Sequence, residues 1–261
     1  VTSGGLEALL RRDRLIVAAA LAAITALSWA YLLWLAGAMG MDAGMAMAPA
    51  LRPWDLTRFE YMFVMWAVMM VGMMTPSAAP MILLYARVGR QARERGKPLA
   101  ATAWFAAGYL LAWTAFSLAA TLGQWALERA LLLSPMMAST SATFGGLLLI
   151  AAGIYQWTPA KNACLRRCQS PLQFIQAHGG FRRDAPGSLA VGFHHGLYCV
   201  GCCWALMALL FVGGVMNLLW IAAIAIFVLV EKLIPPARWL PRAAGAALTA
   251  AGAWYLVAAL A

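Results

Sequence analysis

The sequence predicts an all-α polytopic membrane helix bundle of about seven transmembrane helices, N-in and C-out, and three observations predict it. The 261 residues are 64% hydrophobic and only 11% charged, where a soluble domain carries about a quarter charged residues. The apolar residues are gathered into runs long enough to cross a bilayer. The basic residues are gathered between those runs, nearly all on one side. With a mean hydropathy of +0.78, the apolar surface has no soluble explanation, and lipid is the expected solvent.

Crossing ~30 Å of hydrocarbon takes ~20 apolar residues in a helix. Seven runs reach that scale, at about 15–37, 61–86, 99–123, 140–158, 188–212, 217–234 and 243–260. The first follows Arg11, Arg12 and Arg14, a basic lead-in that resembles an export signal. The run is too long for a signal core and lacks a small-residue cleavage site, so a retained anchor is expected. A Met-rich segment follows at 37–49, with Met39, Met41, Met45 and Met47. The second run carries a methionine stripe and then Thr75-Pro76 and Pro80. Each proline removes a donor from the helical ladder, so a broken helix is expected there, a feature that often lines a transport cavity. Between the fourth and fifth runs lies the longest inside loop, 159–187, with Cys164, Cys168 and His178. The turn Gly213–Asn217 between the fifth and sixth runs is short. The last run is rich in Ala, which suits close packing between helices or between subunits of a homo-oligomer.

Orientation follows from the basic residues. With the N-terminus inside, 16 of the 19 Lys and Arg are cytoplasmic, and only Arg52, Arg58 and Arg129 lie outside. That is the positive-inside bias. It accounts for the net charge of +10 without a nucleic-acid partner. The expected location is the bacterial inner membrane, multi-pass.

The five cysteines all lie beyond residue 163. A disulfide scaffold would spread and pair them; here two fall in the basic loop and three inside the fifth run. That run reads GFHHGLYCVGCCWALM from Gly192 to Met207. At i+4 spacing His195, Cys199, Cys203 and Met207 form one helical stripe, with Cys202 beside it. His194 is adjacent. Imidazole, thiolate and thioether are soft or borderline ligands, suited to copper, zinc or iron and not to magnesium or calcium. A single buried cysteine is commonly a small hydrophobe. Three with two histidines at membrane depth point to function. Gly192 and Gly196 would let a neighbouring helix approach.

On the second run Met62, Met65, Met69 and Met73 recur at spacings of 3, 4 and 4, one stripe, flanked by Met70 and Met74. At a rise of about 1.5 Å per residue, and with the two runs antiparallel, this cluster and Cys199–Cys203 lie within about a turn in depth. If the two helices pack together, a mixed sulfur and nitrogen site follows. A core or lipid-facing methionine stripe is the alternative. Cys164 and Cys168, four apart, would share a helical face. Arg166 and Arg167 beside them are expected to lower the thiol pKa.

All nine acidic residues lie at or outside the ends of the runs, which argues against a proton-coupled exporter of hard cations. No phosphate-binding glycine loop occurs, and no Ser/His/Asp arrangement, so no catalytic residues are expected. A redox role through cysteine pairs stays open. Bis-His haem is disfavoured by the placement of the histidines, and His–Met ligation of haem iron remains open.

The segments Met65-Trp66-x₂-Met69-Met70-x₂-Met73-Met74-x-Pro76 and Tyr198-Cys199-x-Gly201-Cys202-Cys203-Trp204-x-Leu206-Met207 together resemble a bacterial family of predicted metal-binding integral membrane proteins, domain of unknown function 2182. The resemblance spans most of the second to sixth runs, including the loop cysteines. It implies a metal, with copper handling the usual suggestion. Met65, Met69 and Met73 also match the spacing in eukaryotic copper-uptake channels, a likeness of motif only.

The expectation is therefore a protein that binds and transfers a soft metal within or across the membrane, copper as Cu(I) first and zinc or haem iron behind it. Its ligands would be Cys199, Cys202, Cys203, His195, His194, Met65, Met69, Met70, Met73, Met74, Cys164 and Cys168. Its partners would be the lipid bilayer, the metal, and a metallochaperone or other membrane subunits. The alternatives are a thiol–disulfide electron carrier and a metal-bearing subunit of a larger complex.

Overall fold

The structure, a computed structural model, describes residues 3–45, 54–134, 137–234 and 239–260. The described residues are helical apart from short connections and one isolated bridge, Leu133 to Ser139. In chain order the helices are α1 (Ser3–Met45), α2 (Leu56–Glu94), α3 (Thr102–Arg129), α4 (Ala142–Trp157), α5 (Pro159–Gln169), α6 (Pro171–Ala177), α7 (Ala185–Ala208), α8 (Leu210–Gly213), α9 (Leu218–Leu233) and α10 (Trp239–Leu260).

The apolar runs are helical over most of their lengths, the fifth being divided between α7 and α8. Among the described residues four segments, Leu15–Ala38, Leu56–Glu94, Thr102–Arg129 and Ala185–Gly213, are long and apolar enough to cross a membrane, and Ala142–Trp157 is a shorter apolar helix. Helix starts are marked by polar caps. Side chains of Asp55, Ser141, Thr158, Asp184 and Asn217 each accept a backbone N–H three residues on, satisfying donors the helix cannot. Large apolar side chains such as Leu27, Leu33, Trp34, Leu111, Ile154 and Trp254 face outward, as a lipid solvent allows.

Two expectations change. The segment 159–187 is not an open loop: α5 and α6 fold back onto α7, burying Leu165, Phe174 and Ile175. The prolines do not break α2, which runs continuously through Pro76 and Pro80. Nearby carbonyls of that stretch also carry side-chain donors. Thr75 Oγ1 donates to Val71 O at 2.7 Å, Ser77 Oγ to Met74 O at 2.9 Å, and Tyr109 Oη to Met74 O at 3.1 Å. These carbonyls neighbour Gly72 O and Pro76 O, the two that Pro76 and Pro80 leave without a helical donor.

Small residues decide who packs on whom. A Cβ at Gly192 would lie 2.0 Å from Phe105 O, and one at Gly108 2.0 Å from Leu189 O. The backbones of α3 and α7 therefore touch, as the spacing of Gly192 and Gly196 anticipates. Likewise Gly146 meets Gly252, and Gly153 meets Gly245, which seats the Ala-rich α10 against α4. α1 packs on α2 where Ser28 faces Gly72.

Candidate metal centre

The stripe predicted on α7 exists and faces inward: His195, Cys199, Cys202, Cys203 and Met207 are all buried. Its hub is the Cys199 sulfur. Lys232 Nζ, from the last turn of α9, donates to Cys199 Sγ at 2.8 Å and to Ser77 Oγ of α2 at 3.0 Å. Tyr109 Oη of α3 lies 3.1 Å from the same sulfur. Cys168 of α5 and Cys202 and Cys203 of α7 are its sulfur-bearing neighbours. Cys202 and Cys203 meanwhile donate to Cys199 O, each at 3.0 Å. Donors converging on one sulfur favour negative charge there, and charge-assisted hydrogen bonds are the strong ones. His195 is enclosed by the rings of Phe105, Tyr109 and Phe174, and its Nδ1 is buried with no hydrogen-bond partner in the described structure.

The methionines of α2 are core residues, not lipid-facing ones. Met65, Met69, Met70, Met73 and Met74 are at most 1% exposed, enclosed by α1, α3 and α9. Expected close packing of α2 on α7 is not what brings them to the cysteines. The glycine face of α7 is taken by α3, and α2 meets α7 through side chains. Tyr85 Oη pairs with Ser188 Oγ at 2.8 Å, and Tyr109 and Lys232 each bridge α2 to Cys199. These bridges run antiparallel, Tyr85 level with Ser188 and Met74 with Cys199. The equal depth expected of the two clusters is therefore present, with Tyr109 between them.

Cys164 and Cys168 are half-buried on α5. Cys168 joins the hub. Cys164 fills the space against Gly201, where a Cβ would lie 2.9 Å from its sulfur. The arginine effect expected on these thiols is overturned. Burial, then Cys202, pushes the Cys164 thiol up. Hydrogen bonding to Cys199, then to Cys202, pushes the Cys168 thiol well up. Arg166 and Arg167 are exposed on the far side of α5, where water screens them. His194 is not brought to the cluster. It is exposed and its ring lies 5.5 Å from that of His178. Met47 lies outside the described residues, as do the side chains of Met39, Met41 and Met45.

Sequence reasoning missed Lys232 and Tyr109. Lys232 stood among the cytoplasmic cations, yet it is buried, as is Lys161. Lys161 Nζ lies 2.9 Å from Glu231 Oε1 and also meets Gln156 Oε1. The available signal was Glu231-Lys232 inside the last turn of an apolar run. Among the described residues no three His, Cys, Asp or Glu side chains are set around a common centre. The thiols of Cys202 and Cys203 are turned onto a carbonyl and Lys232 occupies Cys199, so a metal would have to displace these partners. The donor chemistry itself fits a soft ion, being sulfur with one unpartnered imidazole nitrogen.

The fold defines the class first: a helical protein with, among the described residues, four helices long and apolar enough to cross a membrane. Within that class, the family model described as PpoB2, copper chaperone, matches residues 63–255, and the chain belongs to this copper chaperone family. No curated protein and no solved structure matches the chain. The family handles metal, as the resemblance implied, although its description does not mention domain of unknown function 2182. A metal-ion partner, copper, follows from the family.

Proposed function

We propose that this chain binds Cu(I) inside the bacterial inner membrane and hands it on, as a membrane-embedded copper chaperone. The observation that carries the reading is the burial together of Cys199, Cys202 and Cys203 on α7, with Cys168 of α5 beside them and the α2 methionines at the same level. Met39, Met41, Met45 and Met47 would gather the ion outside. Met65, Met69, Met70, Met73 and Met74 would conduct it, and Cys199, Cys202, Cys203 and His195 would hold it. Cys168, with Cys164 behind it, would pass it toward the cytoplasmic side. His194 would serve at most as an outer contact with His178. Thiolate and thioether select Cu(I) over hard cations. An arriving monovalent cation would take over the charge-neutralising role of the Lys232 ammonium.

The test is Cu(I) stoichiometry of purified chain against Cys199→Ser/Cys202→Ser. Serine keeps the hydrogen-bond acceptor but is a hard, poor ligand for Cu(I). Binding by the native chain and its loss in the variant are expected. No copper on the native chain, or none lost on substitution, would sink the proposal. A thiol–disulfide carrier is favoured by one observation, the packing of α5 on α7 that sets Cys168 beside Cys199. A reversible disulfide between them, detected by mass spectrometry, would support that reading instead.

A further inference from the structure

The other end of the bundle holds a second sulfur-bearing centre, built where α2 begins and α3 ends. Gln124 is fully buried, and its amide is fixed in orientation because Trp66 Nε1 donates to its Oε1 at 2.8 Å. The Nε2 group is thereby turned toward three acceptors. They are Met137 Sδ at 3.0 Å, Met62 Sδ at 3.5 Å and Glu128 Oε1 at 2.9 Å. Two N–H bonds serve three acceptors, and two of those are thioethers, which are weak acceptors. Sulfur lone pairs from separate parts of the chain converge on one electropositive point. Glu128 is buried too, and its Oε2 accepts from Trp54 Nε1 at 2.7 Å and from Arg58 at 2.9 Å.

Met137 reaches this point at a conformational cost. It is a non-glycine residue with φ of +55°, a region L residues seldom occupy. Its backbone is tied there, its N–H donating to Ser134 O at 2.8 Å and its carbonyl accepting from Val215 N–H at 3.3 Å. Observed strain held by surrounding structure is a pointer to function. A polar amide and a carboxylate buried beside sulfur in a membrane helix point the same way. Packing alone would be served by aliphatic side chains.

We infer that Met62 and Met137, backed by the Glu128 carboxylate, form a second binding site for a soft monovalent cation, with the Gln124 amide as its stand-in when no ion is held. Hard cations take oxygen ligands; two thioethers select a soft ion such as Cu(I) or Ag(I), with the Glu128 carboxylate, ion-paired to Arg58, behind them. From Met62 the buried Met65, Met69 and Met73 lead along one face of α2 toward the cysteines, about 18 Å away at helical rise. The site would be the entry end of that line. The inference rests on the proposed copper reading for its cargo, and its test separates the two.

Ag(I), a redox-inert probe, is titrated into the detergent-purified full chain labelled with ¹³C at methionine methyls. Stoichiometry is measured for the native chain, for Met62→Leu/Met137→Leu, which conserves volume, and for Cys199→Ser/Cys202→Ser. The native chain should bind one ion more than the Met62→Leu/Met137→Leu chain. The methyl signals of Met62 and Met137 should shift, and should still shift in the cysteine variant. Met62 and Met137 signals that stay still in the native chain, with stoichiometry unchanged by the leucines, overturn the second site and leave the cysteine reading intact. A native chain that binds no Ag(I) overturns both. Methyl shifts in a cysteine variant of unchanged stoichiometry would overturn the cysteine reading and uphold this site.

Discussion

Cys199 and Lys232 are each nearly inaccessible to solvent, and each is the other's partner at 2.8 Å. Removing one side of such a contact strands the other in a medium that cannot solvate it. Cys199→Ala should therefore destabilise the chain by about 3 kcal/mol, and Cys199→Ser by much less, because an acceptor remains for Lys232 and Tyr109. Denaturation midpoints in detergent read this; equal losses for the two variants would contradict the hub. The same logic applies to Lys161 and Glu231. Lys161→Met alone should cost about 3–5 kcal/mol, and Lys161→Met/Glu231→Leu should recover most of it. A double-mutant cycle with no coupling would show that the pair is not acting as one. Cys164 offers a pH readout. With its thiol pushed up by burial, its alkylation should lag that of a small model thiol near pH 8 and gain as pH rises, because only the thiolate reacts.

At the scale of helices, the separation of α3 and α7 sets where Tyr109 meets Cys199. Gly192 has no room for a methyl, since its Cβ would stand 2.0 Å from a backbone oxygen that cannot rotate away. Gly192→Ala should thus cost about 1–3 kcal/mol or more as overpacking, and should weaken copper retention without touching a ligand. Gly123, on the same α3, has nothing within 4 Å of its Cβ position. Gly123→Ala should be neutral or stabilise by about 0.5–1 kcal/mol. Thermal midpoints of the two variants check the contrast, and equal effects would mean that α3 and α7 are not in backbone contact. α2 teaches a related lesson. Its prolines remove the helical donors to Gly72 O and Pro76 O, yet the helix continues through both of them.

For the whole molecule, the proposed arrangement of seven spans puts α5, α6 and the end of α9 on the cytoplasmic side. The Met62 and Met137 end then faces outward. Reporter fusions between α2 and α3 should be active inside, and those between α3 and α4 outside. The reverse pattern would invert the direction assigned to the methionine line. The burial of Lys161 and Lys232 removes two cations from the tally of cytoplasmic loop charge, and the remaining fourteen against three still favour the same orientation.

What the sequence determined by itself was whatever depends on near neighbours in the chain. Run length and hydropathy set the helices. The 3.6-residue period set the His195–Cys199–Cys203–Met207 stripe and the methionine face of α2, and rise per residue set their common depth. None of these requires knowing which helix lies beside which. The tertiary structure decided the partners. It put α3 rather than α2 against the glycines of α7, folded α5 back so that Cys168 reached Cys199, and turned Lys232 inward from a position that reads as a loop charge. It also sent His194 outward and brought Met137 to Met62 across a connection with no periodicity to read. The physical reason is that helical spacing defines a face, while the neighbour of that face is chosen by where small residues permit backbone contact and where a buried charge can find its counterpart.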